Sequence, residues 1–319
     1  MNRVLVTNLI MQRELDRYRH LLRPAGVEVV CHPVRQFLTE ADLLPIIGGF
    51  DGVIAGDDQF TEPVLRAGSP RLRVISKWGV GLDSIDLSAA SRLGIKVYRT
   101  PGAFGDAVAE VVMGYLLMLS RKLHLVDQEI RRGGWPKPAG RGLRGCKLGI
   151  VGLGSVGRAV ARRAAAFGLE TLATDIREIE AARLVRGRFA SLAEVVAESD
   201  YLLLSCNLTP ANREIIGPSE LARMKSTAFL INVARGALID EAALIRALRC
   251  GRIAGAALDV FQQEPLPNDH PFRQMKNVIL GSHNAHNLRE ANEQVCRRTV
   301  ENLLEGLAAK RPSKGRIKC

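Results

Sequence analysis

With 319 residues, 47% of them hydrophobic and 24% charged, the chain has the balance of a globular protein in water and is too long for one small core, so two domains are expected. The net charge of +12 invites a nucleic-acid reading, yet the basic residues are spread over presumed helix faces such as "RAVARR" and "AARLVRGR". Only the final "KRPSKGRIKC" concentrates them, and it has no aromatic residue to stack on a base, which argues against a nucleic-acid partner and favours small anionic substrates.

The opening "MNRVLVTNLIMQRELDR" carries an apolar run of about eight residues before charges begin, with no small-residue cleavage site. That is too short for a secretion signal or a bilayer span, so the chain reads as cytoplasmic, with no membrane partner. "RVLVTN" and "VEVVCHP" are strand-like and flank an amphipathic stretch; "DGVIAGD", "LRVISKWG" and "IKVYRT" follow as strands, with "IDLSAASRLG" as a helix. After the turn-rich "RTPGAFGD", the apolar "AVAEVVMGYLLMLSRKLHLV" reads as one long helix. A second alternating series runs through "KLGIVGLG", "LATD", "YLLLSCN", "AFLINVA", "IAGAALDVF" and "NVILGSH", and a last helix covers residues 288–308. Such alternation predicts an α/β fold with two doubly wound parallel sheets. The closing helix has no strand after it and is expected to return to the first unit. The expected division is therefore a discontinuous domain, 1–99 and 287–319, around an inserted Rossmann-like domain, 100–286. The six cysteines (Cys31, Cys146, Cys206, Cys250, Cys296 and Cys319) form no CxxC pair and no zinc-like cluster, so buried, reduced thiols are expected.

The strongest local signal is "LGIVGLGSVGRAVARRAAAFGLETLATD", in which an apolar strand runs into Gly152, Gly154, Ser155, Val156 and Gly157 and a helix opens at once. Gly152 permits the tight turn, Gly154 lets the backbone approach a pyrophosphate, and Gly157 lets helix and strand pack closely. The phosphates then meet free N–H groups at the positive end of the helix. Asp175, about twenty residues on, would accept from the ribose hydroxyls and repel a 2′-phosphate. This favours NAD over NADP, with Arg177 nearby as a contrary sign.

Reducing a ketone also needs a cation near the carbonyl and an acid to protonate it. "INVARGALIDE" puts Arg235 just past a strand, where a guanidinium holds a carboxylate in two parallel bonds. A surface arginine in a salt bridge is the alternative, and this stretch alone does not choose. "AALDVFQQEPLP" offers Glu264 in a loop stiffened by Pro265 and Pro267, and "NVILGSHNAHN" offers His283 and His286. A glutamate on one ring nitrogen would fix the tautomer and leave the other nitrogen to move a proton. No carboxylate or cysteine around "SHNAHN" completes a zinc set, so no metal is expected.

Together with "ISKWGVGLDSIDLSAASRLGI" and "TPGAFGDAVAE", these stretches occur in an order that resembles the D-isomer-specific 2-hydroxyacid dehydrogenase family over nearly the whole chain, most closely its phosphoglycerate-dehydrogenase-like branch. The resemblance implies that Arg235, Glu264 and His283 carry the chemistry, with His283 as proton donor in reduction and base in oxidation. It implies a substrate-carboxylate loop in "SKWGVG", with the N–H groups of Gly79 and Val80 as donors and Lys77 and Trp78 beside them. Val80, Cys206, Val233, Ala234, Arg235 and His283 would join the glycine loop and Asp175 around the cofactor, and Asp259 would bind the nicotinamide amide. A homodimer built on the cofactor domain is implied too. The implied substrate is a small D-2-hydroxy acid, phosphoglycerate-like or glyoxylate/hydroxypyruvate-like. Departures from the family pattern are Phe104 for Asn, Ser84 for Asn, Gly281-Ser282 for Thr-Pro, Leu288 for Thr, and His286 for a small residue. Two alternatives stay open: a non-catalytic NAD(H)-sensing scaffold of the C-terminal-binding-protein type, and an enzyme for formate-like or phosphite-like donors.

Overall fold

The structure, a computed structural model, describes residues 1–176 and 186–309. Arg177 and the basic tail 310–319 lie outside the described residues. The chain forms two compact units, Met1–Ala103 with the chain from Arg289 onward, and Phe104–Leu288. The divisions fall a few residues later than the sequence suggests at both crossings.

The first unit holds five parallel strands, β1 (Asn2–Val6), β2 (Val27–Cys31), β3 (Gly52–Ala55), β4 (Val74–Lys77) and β5 (Lys96–Tyr98), in the order β2-β1-β3-β4-β5. Every residue of β3 and β4 is buried, as expected of strands covered on both faces. The closing helix Arg289–Ala308 belongs here: Ser76 Oγ donates to Thr299 O at 2.7 Å, and Tyr18 OH donates to Glu293 O at 3.1 Å.

The second unit holds β6 (Lys147–Val151), β7 (Glu170–Thr174), β8 (Gly187–Phe189), β9 (Tyr201–Leu204), β10 (Phe229–Asn232), β11 (Gly255–Leu258) and β12 (Val278–Leu280). All pairings are parallel, in the order β12-β11-β10-β9-β6-β7-β8. The chain winds outward from β6 through β7 to β8, then crosses back to β9 and winds the other way. The reversal leaves a crevice past the C-terminal ends of β6 and β9, which is where α/β sheets of this kind bind ligands.

Three expectations need correction. The long apolar helix is two helices, Gly105–Arg121 and Leu123–Arg131, because Lys122 adopts a left-handed φ of 56° and ends the first with its N–H on Met118 O. The second of these has no buried residue, so no core holds it in line. Strand β8 escapes a periodicity reading because three residues carry no usable alternation. Among the described cysteines all are free, but Cys31 and Cys250 are exposed rather than buried.

Candidate active site

The glycine loop leaves β6 through Gly152 at φ +96°, a value that L side chains avoid. A Cβ there would stand 2.6 Å from the backbone of Cys206, just past β9, so the two strand ends of the crevice touch only because residue 152 is glycine. A Cβ on Gly157 would meet Gly152 O at 2.3 Å, which is the close packing expected of the third glycine. Gly154 is the N-cap of helix Ser155–Ala166, with no atom within 4 Å of where its Cβ would be. The N–H groups that open this helix have no intrahelical acceptor. A dinucleotide pyrophosphate therefore fits this turn. Ser205 Oγ donates to Gly152 O at 2.7 Å and braces it. Asp175 follows β7 directly and its Oδ2 accepts from Leu153 N–H at 2.7 Å, which ties the acid to the loop. Burial pushes the Cys206 thiol up to about 11, so it is a neutral, weakly polar wall.

The chemical groups come from loops after the next strands. Asn232, fully buried at the end of β10, accepts from Ala234 N–H at 3.0 Å and donates through Nδ2 to Arg235 O at 2.9 Å. These two bonds curl Val233, Ala234 and Arg235 into a fixed turn. The next residue, Gly236, lies against the backbone of Phe261 and Gln262, where a Cβ would come within 2.0 Å. Phe261 N–H in turn donates to Glu264 Oε1 at 2.9 Å. The arginine loop and the glutamate loop are thus in direct contact. Glu264 Oε2 then reaches His283 Nδ1 at 2.7 Å, with both side chains mostly buried. Since Nδ1 is taken by the carboxylate, Nε2 is the ring nitrogen that can serve a substrate.

His283 lies in the loop beyond β12, not in the strand, at a left-handed φ of 54°. For a residue with a β-carbon this costs about 1–3 kcal/mol, so the surroundings must enforce it. Asp259, 2% exposed after β11, supplies part of that constraint: its carboxylate accepts from Asn284 N–H at 3.2 Å and Ala285 N–H at 2.9 Å. His286 meets His283 edge-on with centroids 5.9 Å apart, and Phe104 meets His286 at 5.3 Å. Two of the departures from the family pattern therefore lie within a ring or two of His283. Among the described residues no set of three His, Cys, Asp or Glu side chains gathers for a metal ion.

The carboxylate-loop expectation divides residue by residue within the first unit. Lys77 is 2% exposed, and its ammonium donates to Gly56 O and to Asp57 Oδ1 at 2.7 Å. Trp78 is buried, with its indole N–H on Cys296 Sγ at 3.1 Å. Gly79 N–H donates to Thr100 Oγ1 at 3.0 Å. These bonds show how the strand end is supported from within the first unit. Val80 and Gly81 are half-buried, and neither N–H has a hydrogen bond among the described residues. They are the donors this loop has left.

Asn232, Ser205, Thr100 and Tyr115 were not singled out from the sequence. Each acts by bonding another residue's backbone or carboxylate, and no spacing rule reports that. Asn232 had the best available signal, as an Asx-type residue ending an apolar strand.

A family model described as the NAD binding domain of D-isomer specific 2-hydroxyacid dehydrogenases matches residues 113–285. The chain is 40% identical over 264 residues to a glyoxylate reductase of Thermofilum pendens, across 80% of this chain and 77% of that protein. It is 35% identical over 270 residues to a glyoxylate reductase/hydroxypyruvate reductase of Mus musculus, across 82% of each. A solved structure of a Thermus thermophilus protein superposes with a TM-score of 0.85 at 36% identity, covering 98% of both chains.

Proposed function

The chain belongs to the D-isomer-specific 2-hydroxyacid dehydrogenase family, and on that premise we propose that this NAD-dependent dehydrogenase reduces glyoxylate or hydroxypyruvate to the corresponding 2-hydroxy acid. Its branch is glyoxylate-reductase-like, a refinement of the phosphoglycerate-dehydrogenase-like expectation. The motifs quoted from the sequence recur across branches, so they could not separate the two.

The observation that carries the reading is the 2.7 Å contact between His283 Nδ1 and Glu264 Oε2, in the same unit as the glycine loop. A nicotinamide cofactor supplies hydride when bound. In reduction, His283 Nε2 gives its proton to the substrate carbonyl oxygen, and in oxidation it takes the proton back. Glu264 holds the ring in register and stabilises the imidazolium form. The Arg235 guanidinium, whose Nη1 also donates to Ala234 O at 2.8 Å, is the cation for the substrate carboxylate and polarises the neighbouring carbonyl. Asp175, held at the glycine loop, favours NAD over NADP because a 2′-phosphate there would face a carboxylate.

The test is NADH oxidation followed with glyoxylate, hydroxypyruvate, pyruvate and 3-phosphohydroxypyruvate. Turnover is expected with glyoxylate or hydroxypyruvate, and kcat/KM lower for the other two. Inertness with every acid, beside tight NADH binding, would replace the enzyme reading with that of a cofactor-sensing scaffold.

A further inference from the structure

Tyr115 lies in helix Gly105–Arg121, is 8% exposed, and donates its hydroxyl to Asp259 Oδ1 at 3.4 Å. Burial, reinforced by the charge of Asp259, pushes this phenol well above its ordinary range, so it is a proton-bearing donor throughout the working pH. Asp259 takes three successive N–H groups, one on its main-chain carbonyl and two on its carboxylate. Asp259 O accepts from His283 N–H at 2.6 Å, Oδ1 from Asn284 N–H, and Oδ2 from Ala285 N–H. The two bonds to the carboxylate and the one to the carbonyl together fix the backbone that bears these N–H groups. The backbone fixed here holds His283 in its left-handed conformation.

Gly281 completes the arrangement. A Cβ on it would fall 2.2 Å from Asp259 Oδ1 and 2.5 Å from the Tyr115 hydroxyl. The volume that a side chain at 281 would fill is occupied by the Tyr115–Asp259 contact itself. Orientation of the working ring is thus shared between two devices. Glu264 grips Nδ1, and the Tyr115–Asp259 contact sets the backbone from which the ring projects.

We propose that Tyr115 is a positioning residue for His283, acting through Asp259 and made possible by Gly281. The proposal rests on the assignment of His283 as the proton-moving group. Removing the hydroxyl leaves the carboxylate with one donor fewer and lets the 281–285 loop relax, so the ring samples orientations that do not face the substrate.

The experiment compares Tyr115→Phe with the unaltered protein in two backgrounds, using NADH and glyoxylate. In the wild-type background kcat should fall about tenfold, with Kd for NADH and Tm unchanged, as a slight misplacement of a catalytic group predicts. In a His283→Ala background the same substitution should alter kcat by less than about twofold, because the group it positions is gone. Gly281→Ala should lose more activity than Tyr115→Phe, and less of it once residue 115 is already phenylalanine. A readout independent of turnover is the ring resonance of His283 in 13C-histidine-labelled protein, identified by its loss in His283→Ala. It should shift in Tyr115→Phe while that of His270 stays. An unmoved His283 resonance, or a kcat loss that survives in full without His283, overturns the proposal. Inactivity of the wild-type protein on glyoxylate would count against the substrate reading alone, because the resonance still decides this one.

Discussion

Lys77 illustrates how partners, not residue type, set a side chain's role. A lysine beside a glycine-rich loop reads as an anion ligand, but here the ammonium is inside the first unit on Gly56 O and Asp57. Lys77→Met should therefore lower stability by about 1–3 kcal/mol in urea unfolding, the usual cost of losing a buried charged hydrogen bond. If these two bonds are its whole role, KM for glyoxylate stays within about twofold. A raised KM at unchanged stability would return Lys77 to the substrate. Arg235, Glu264 and His283 stand out in the sequence as candidates because each follows an apolar strand and has the chemistry a ketone reduction needs, and the structure joins the last two in one contact. Tyr115 was not, because within "VVMGYLLML" it looks like one more apolar helix residue, and its meaning lies in an acid 144 positions away.

At the scale of elements, the alternation of strands and helices was readable over most of the described residues because buried parallel strands leave continuous apolar runs. The break at Lys122 and the short β8 were hidden, since one left-handed residue and three strand residues leave no periodic trace. Equally hidden was the way Asp200 ties the second sheet together. This buried acid accepts from Lys147 N–H at the start of β6, from Lys225 Nζ, and from Arg141. Burial works to raise its pKa, but the Lys147 N–H and the Lys225 and Arg141 charges outweigh that and hold it below the ordinary value. A carboxylate with a depressed folded pKa contributes stability above its unfolded value, and the contribution is lost as pH falls through the folded one. Asp200→Asn should accordingly lower Tm at neutral pH, and the gap to wild type should close below about pH 4. A gap that persists unchanged into acid would show that Asp200 acts by shape alone.

At the scale of the whole molecule, no helix among the described residues is long and apolar enough to cross a membrane. The second unit does carry large apolar side chains in the open: Leu123 at 50% exposure, Ile130 at 43% and Trp135 at 80%. The homodimer that the family resemblance implies would need an apolar surface on this unit. If that homodimer forms through these side chains, Ile130→Glu with Trp135→Ser shifts sedimentation from dimer to monomer; a wild-type protein already monomeric at micromolar concentration would dismiss this surface.

The account turns on His283 moving the proton, and one comparison tests that directly. In His283→Ala, kcat for NADH-dependent reduction of glyoxylate should fall by a factor of about a hundred to ten thousand, while the NADH dissociation constant from fluorescence titration stays near wild type. Turnover close to wild type in that variant would contradict the assignment and the mechanism built on it.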